Sequence, residues 1–244
     1  MKVIAVIPAR LNSKRFKGKV LYPFNKKPLL FYVWQPLMKA KEIDRVIIAT
    51  DDKSIKRTAE NFGAEVISTS KKHKTGTDRL AEIAKKVRGD IYINFQADNF
   101  GLKSNTIDKI ITDFKNDKNA NCATLVKPIT RDEMLFDPNH VKVIFNKDNN
   151  ALWFSRYPLP FLQNAKKTNR TKQFKFYGHI GIYLFRRKAL TQFSKLKRTS
   201  YERAESLEQL RLLENGIDIK IYKTKMKTVS IDCLEDLKKI TKLL

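Results

Sequence analysis

Acidic residues are scarce in this chain of 244 residues: 25 Asp and Glu stand against 50 Lys and Arg, for a formal net charge of +25. Cysteine is scarcer still, with Cys122 and Cys233 far apart in the sequence. Two cysteines exclude a disulfide framework, and without a CxxC or a Cys/His ligand spacing there is no basis for a structural zinc site. They read as reduced packing residues, which sets the expectation of a cytoplasmic protein. No apolar run approaches the ~20 residues of a membrane helix. The apolar start at residues 3–7 is too short for a signal sequence and is broken by Pro8 and Arg10. Internal repeats and Gly/Ser-rich linkers are also lacking. What remains, 42% hydrophobic and 10% aromatic residues, suits a globular chain of one domain, or of one domain with a lobe.

The basic excess has three readings. A nucleic-acid binder concentrates Lys and Arg on one face. An enzyme for phosphorylated substrates needs a few basic groups in a pocket. A lysine-rich surface needs no function. The small clusters Lys71-Lys72, Lys85-Lys86, Lys166-Lys167 and Arg186-Arg187-Lys188 are scattered, which favours the last reading for the bulk of the charge. No helix-turn-helix, RNP-like or finger motif accompanies it, so no specific nucleic-acid partner is expected.

Along the chain, buried-type strands alternate with amphipathic helices. Residues 3–7, "RVIIAT", "AEVIS" and "DIYINFQ" read as strands. Between them "LLFYVWQPLMKA" (interrupted near Pro36), "DDKSIKRTAENFG" and "TDRLAEIAKKV", with a Thr-Asp cap signal, read as helices. "SNTIDKIITDFKND" follows as a helix capped at Ser104. This alternation predicts βαβ units on a parallel sheet, with ligands beyond the carboxyl ends of its strands. After about Asn121 the pattern changes. "CATLVKP", "HVKVIFN", "ALWFSRY" and "FYGHIGIYLF" are strand-like runs, so residues 121–185 read as an antiparallel sub-region of a single domain spanning 1–244. Helical "RKALTQFSKL" and "SLEQLRLLENG", the latter ending on Gly216, strand-like "DIKIYKT" and helical "LEDLKKITKLL" complete the chain. The basic stretch 163–175 reads as an exposed loop.

The loop after the first strand, "VIPARLNSKRFKGK", draws attention first. Arg10, Arg15 and Lys19 can converge on one polyanion, with backbone N–H groups around Asn12 and Ser13 as a phosphate nest. The spacing is not that of a Walker loop, and a solvated surface loop is the alternative. Asp98 in "INFQADN" and Asp232 in "VSIDCLEDL" each follow a strand, where hard carboxylate oxygens suit Mg²⁺. A turn residue and a helix N-cap are the respective alternatives. Asp51-Asp52 is a similar pair, with Asp52 read as the cap of the next helix. Further on, Arg156 is suited to a substrate carboxylate. His179 and Tyr183, four apart, project to one face if they share a strand. A satisfied structural histidine is the alternative for His179.

Together these segments resemble one family. "IPARLNSKRFKGKVL", "IIATDD", "TGTDRLAE", "FSRYPLP", "GHIGIYLFRRKAL", "ESLEQLRLLENG" and "IDCLEDL" stand in the order and spacing of the 3-deoxy-manno-octulosonate (Kdo) cytidylyltransferases, over residues 2–240. The opening loop is shared with other sugar nucleotidyltransferases; "GHIGIY" followed by "ESLEQLRLLENG" is more specific. The resemblance implies an α/β, Rossmann-like nucleotidyltransferase with a mostly parallel sheet. It also implies a homodimer whose antiparallel region supplies much of the contact and helps to line the sugar site. The implied reaction joins CTP and Kdo, with Mg²⁺, to give CMP-Kdo and pyrophosphate for lipopolysaccharide biosynthesis. By motif, Pro8, Ala9, Arg10, Ser13, Arg15, Lys19, Thr77, Arg79 and Gln96 are then expected around CTP, and Asp98 and Asp232 on the metal. Arg156, His179, Tyr183, Glu208 and Gln209 are expected around the sugar acid, with Arg15, Lys19, Asp98 and Asp232 serving the chemistry.

One stretch departs from the family, which usually reads "QGDEPL" where this chain has "QADNFGL". Ala97 restricts a backbone position often left to glycine, Phe100 frees a φ angle that proline fixes, and Asn99 removes a negative charge near the metals. The departure opens two further readings: a related acid such as the 8-amino analogue of Kdo as substrate, or a homologue that binds CTP without turnover.

Overall fold

A computed structural model describes residues 1–11, 16–164, 166, 168–226, 228–231 and 234–241. These fall into two compact units, one built from 1–118, 182–194 and 226–244, the other from 119–181 and 195–225.

The first unit is the predicted α/β alternation. Strand β1 (Val3–Ala9) is β-branched and buried almost throughout, and each such side chain contributes about 1.5–3 kcal/mol on leaving water. Helix α1 (Leu29–Met38) carries Pro36 without ending there. Strand β2 (Arg45–Thr50) leads into α2 (Lys53–Asn61), whose N-terminus is capped by Asp52 accepting from Ser54 N at 2.8 Å and Ile55 N at 3.0 Å. Strand β3 (Glu65–Ser68) precedes α3 (Gly76–Lys86), then come β4 (Ile91–Phe95) and α4 (Ser104–Asn116). Strand β1 pairs in parallel with both β2 and β4, and β2 in parallel with β3. Two caps differ from expectation. Helix α3 is capped two residues before Thr77, at Thr75, through a reciprocal pair in which Thr75 accepts from Asp78 N and Asp78 from Thr75 N. At α4 the cap position is Lys103 and no side chain caps it, because Ser104 is already helical.

The second unit holds β5 (Cys122–Pro128), β6 (Lys142–Phe145) and β7 (Ala151–Ser155). It also holds the start of β8 (Tyr177–Arg186), whose residues from 182 onward belong to the first unit, as does α5 (Arg187–Phe193). Its helices α6 (Ser200–Glu205) and α7 (Leu210–Glu214) precede strand β9 (Lys220–Lys223). The β6–β7 and β6–β8 pairs are antiparallel, as the sequence suggested, whereas β9 lies parallel to β5. Helix α7 is only the second half of the predicted "SLEQLRLLENG" helix. It ends at Glu214, and two residues on Gly216 takes the left-handed φ of 68° that L side chains resist.

Candidate active site

Because β1 and β4 run parallel, their carboxyl ends lie at one rim of the first unit's sheet. The chain leaves β1 through Arg10 and leaves β4 through Gln96 and Asp98. Arg10 is anchored by an Nη1 donation to Lys74 O at 3.0 Å. The 70–74 segment that supplies this carbonyl is itself held by Glu82, which accepts from Ser70 N at 2.9 Å and pairs with His73 at 2.5 Å. Burial alone would raise the Glu82 carboxyl, but the hydrogen bonds of Lys86, Ser70 and His73 bring it down to about 2.

Lys19 is the centre of the rim. Its ammonium donates to Asp98 Oδ2 at 2.6 Å and to Ile231 O at 2.7 Å. Asn99 and Phe100, in the stretch that departs from the family, pair antiparallel with Val229 and Ser230. Ile231 N donates to Asp98 O at 3.3 Å. The departing residues therefore have definite work: Phe100 is buried, and its short strand holds the segment leading to residue 232 beside Asp98. Asp98 Oδ1 is buried and has no hydrogen-bond partner among the described residues. A carboxylate with one oxygen on a lysine and the other left bare fits a hard divalent ion. Among the described residues no cluster of three or more His, Cys, Asp or Glu forms a closed metal cage. Asp232, Ser13 and Arg15 lie outside the described residues, as do Asn12 and Cys233.

The other expected nucleotide residues divide. Pro8 and Ala9 end β1, and Gln96 is exposed just past β4. Thr77 is buried and accepts from Asn94 Nδ2 at 3.3 Å. A Cβ on the neighbouring Gly76 would lie 3.5 Å from Pro8 Cγ and 3.4 Å from Asn94 Nδ2, so the start of α3, the end of β1 and Asn94 meet in one place. Arg79 is internal. It is 1% exposed and donates to Asp51 Oδ1 at 2.6 Å and Thr69 Oγ1 at 2.5 Å, tying the carboxyl ends of β2 and β3 to α3. Tyr183 lies opposite Asn94 in β8, buried and stacked on Phe185 at 6.1 Å.

The remaining sugar-side residues belong to the second unit. Arg156 donates through Nε to Glu205 O at 2.7 Å, through Nη1 to Pro138 O at 2.9 Å and through Nη2 to Ser206 O at 3.5 Å. Its guanidinium thus braces two loops as well as carrying charge. Glu205 accepts from Ser155 Oγ at 2.6 Å and Arg156 N at 2.9 Å. His179 Nε2 meets Thr124 Oγ1 at 2.8 Å, and burial pushes the imidazole down to about 3, so it is neutral at neutral pH. Gln209 is 3% exposed at the start of α7, and its Nε2 is buried without a hydrogen-bond partner among the described residues, as a group awaiting a ligand oxygen would be. Glu208 is its half-buried neighbour.

Sequence reasoning passed over Asn94, the Ile231 carbonyl, Glu205 and Lys142. Asn94 is the polar interruption of an otherwise apolar strand, and that was its signal. The Ile231 carbonyl carries no side-chain signature at all.

Residues 4–221 match the sequence profile of the cytidylyltransferases, and the chain belongs to that family. A protein of Thermodesulfovibrio yellowstonii named 3-deoxy-manno-octulosonate cytidylyltransferase is 42% identical over 252 residues, covering 100% of this chain and 98% of the relative. One of the same name from Parabacteroides distasonis is 41% identical, covering 98% of this chain and 96% of the relative. The solved structure of a CMP:2-keto-3-deoxy-manno-octonic acid synthetase complexed with CTP superposes with a TM-score of 0.90 at 35% identity, over 100% of this chain and 98% of that one. Within its class, the chain is a member of the 3-deoxy-manno-octulosonate cytidylyltransferases. A glucose-1-phosphate thymidylyltransferase from Bacillus anthracis, at 16% identity and a TM-score of 0.67, shares the fold alone.

Proposed function

We propose that this protein transfers CMP from CTP to the anomeric hydroxyl of Kdo, releasing pyrophosphate. One observation carries the reading at the level of this chain: Lys19 joins Asp98 to the backbone of Ile231 at the sheet rim, with Asp98 Oδ1 buried and unpartnered among the described residues. The sugar hydroxyl oxygen attacks the α-phosphorus, the bond to the β-phosphate oxygen breaks, and the hydroxyl proton is lost to the surroundings. An anionic sugar must approach an anionic triphosphate. Two unit charges at 4 Å repel by about 4 kcal/mol at an effective dielectric of 20. Arg10 and Lys19, with Arg15, supply fixed positive charge against that repulsion. Asp98 and Asp232 would hold Mg²⁺, which supplies charge neutralisation on the phosphates. Lys19 holds the Asp98 carboxylate in place through its hydrogen bond to Oδ2. Arg156, His179, Glu208 and Gln209, all in the second unit, orient the sugar acid.

The reading brings with it a cytoplasmic site of action, where CTP is held, and a product that serves lipopolysaccharide assembly. It also brings a homodimer, supported by the exposed Phe136, Leu152, Tyr157, Phe161, Phe174 and Tyr201, all in the second unit. Among the described residues, no helix is long and apolar enough to cross a membrane. The test is pyrophosphate release from CTP and Mg²⁺ with a panel of acids including Kdo and its 8-amino analogue. Release with Kdo at the highest kcat/KM is expected; nucleotide binding without release on any acid would contradict the assignment.

A further inference from the structure

Lys142 is a buried charge that the mechanism above does not use. Lys142 is 0% exposed, in the middle of the second unit's antiparallel strands, opposite Ser155 on β7 and Gly178 on β8. Among the described residues its ammonium holds one hydrogen bond, to Asp137 O at 3.1 Å. The adjoining carbonyl, that of Pro138, is held by Arg156 Nη1 at 2.9 Å. Two cations therefore grip two consecutive carbonyls of one loop. The same guanidinium reaches the Glu205–Ser206 loop that runs into Glu208 and Gln209. An ammonium kept from water with a single carbonyl partner is expensive. A neutral residue of that length would pack there at lower cost, so the charge calls for an explanation beyond packing.

We propose that Lys142 is a positioning residue for the sugar acid: with Arg156 it fixes the 137–138 loop and supplies the second positive charge that makes this region accept a carboxylate-bearing sugar. The inference rests on the sugar-acid reading of Arg156, His179 and Gln209 and deepens it. The charged groups facing Lys142 are Asp137 and Glu205, which favour its ammonium, and Arg156, which opposes it. Asp137 is partly spent on His140, at 2.8 Å, and Glu205 on Ser155 and Arg156. A bound carboxylate would add to the favourable side. Burial pushes the Lys142 ammonium down to about 8. Lys142 is thus charged below that pH and neutral above it, and sugar-acid affinity must fall as pH rises through that value.

The experiment compares wild type, Lys142→Met and Lys142→Arg, with separate KM values for Kdo and CTP between pH 6.5 and 9.5, and a melting curve for each protein. In wild type the Kdo KM rises above about pH 8 while the CTP KM stays flat across that range. Lys142→Met raises the Kdo KM about tenfold at pH 7, about the value of one charge-assisted hydrogen bond, leaves the CTP KM within about twofold and loses the alkaline limb. Lys142→Arg recovers part of the loss and moves the limb beyond the range. A folded Lys142→Met protein with an unchanged Kdo KM, or one that loses both substrates equally, overturns the inference. Should Lys142→Met fail to fold, the wild-type profile decides, and a Kdo KM flat through pH 8–9 overturns it. A wild-type enzyme inert with CTP and Kdo overturns the functional reading itself, which is a different failure from turnover with a flat profile.

Discussion

The rim of the first unit and the network around Arg156 in the second are both built to meet negative charge, yet they hold their own charges in opposite ways. At the rim the charged groups come from loops past strand ends, and one carboxylate oxygen, Asp98 Oδ1, has no hydrogen-bond partner among the described residues. In the second unit the cations come from the first residue of β6 and the residue just past β7, and Arg156 is spread over three backbone carbonyls. The imidazole of His179 is held neutral by burial. A bare oxygen is ready for an ion that arrives with the substrate. A fully engaged guanidinium is set to keep loops in register for a ligand of fixed shape. Losing a rim residue should therefore cost chemistry with little change in stability, and losing a residue of the second network should cost both.

The largest effect expected is at Asp98. Asp98→Ala should lower kcat by ~10³ or more, the scale of removing a main electrostatic element, while the melting temperature stays within about 2 °C of wild type. A comparable loss of stability would blur the contrast between the two regions. Next is Arg156→Ala, which strips three carbonyls of their donor and should cost about 2 kcal/mol of stability. Denaturant melts would read that loss, and steady-state kinetics would read a raised Kdo KM with the CTP KM nearly unchanged. Arg79→Met offers a control inside the first unit. It leaves Asp51 without its partner and should lower the melting temperature by about 5 °C, with kcat reduced far less than in Asp98→Ala. The smallest effect is at Glu82. Its carboxyl is held near 2, below the ordinary 4.5, so its contribution is complete above pH 4.5 and is lost as pH falls toward 2. Glu82→Gln should flatten the acid limb of the stability profile and leave stability at pH 7 only slightly reduced.

These two regions were unequally legible in the sequence. Strands β1, β2 and β4 declare themselves by runs rich in β-branched and aromatic residues, and chemistry at their carboxyl ends follows from topology, so Arg10, Lys19 and Asp98 could be named in advance. Lys142 was not named, and Arg79 was named for CTP rather than as the buried brace it is. In "HVKVIFN" and "TDRLAEIAKKV" they occupy positions that patterning assigns to a solvated surface, because patterning sets every lysine and arginine against water. Their surroundings come from outside their own elements: Asp137 in the preceding loop and the distant Glu205 near Lys142, Thr69 and Asp51 on Arg79. Arg156 was legible as a cation but not as a brace, since its partners are backbone carbonyls that any residue could supply. The parallel β5–β9 pair was hidden for a similar reason: the two strands are separated by most of the second unit's sequence, and no local signal sets their direction.

The reading of the rim is tested most directly by anomalous diffraction from crystals grown with CTP and Mn²⁺ in place of Mg²⁺. The account predicts a manganese peak at coordination distance, ~2.1–2.2 Å, from Asp98 Oδ1, with Lys19 still on Oδ2 and Asp232 on the same ion. A metal bound only by the triphosphate, with Asp98 turned wholly to Lys19, would contradict it.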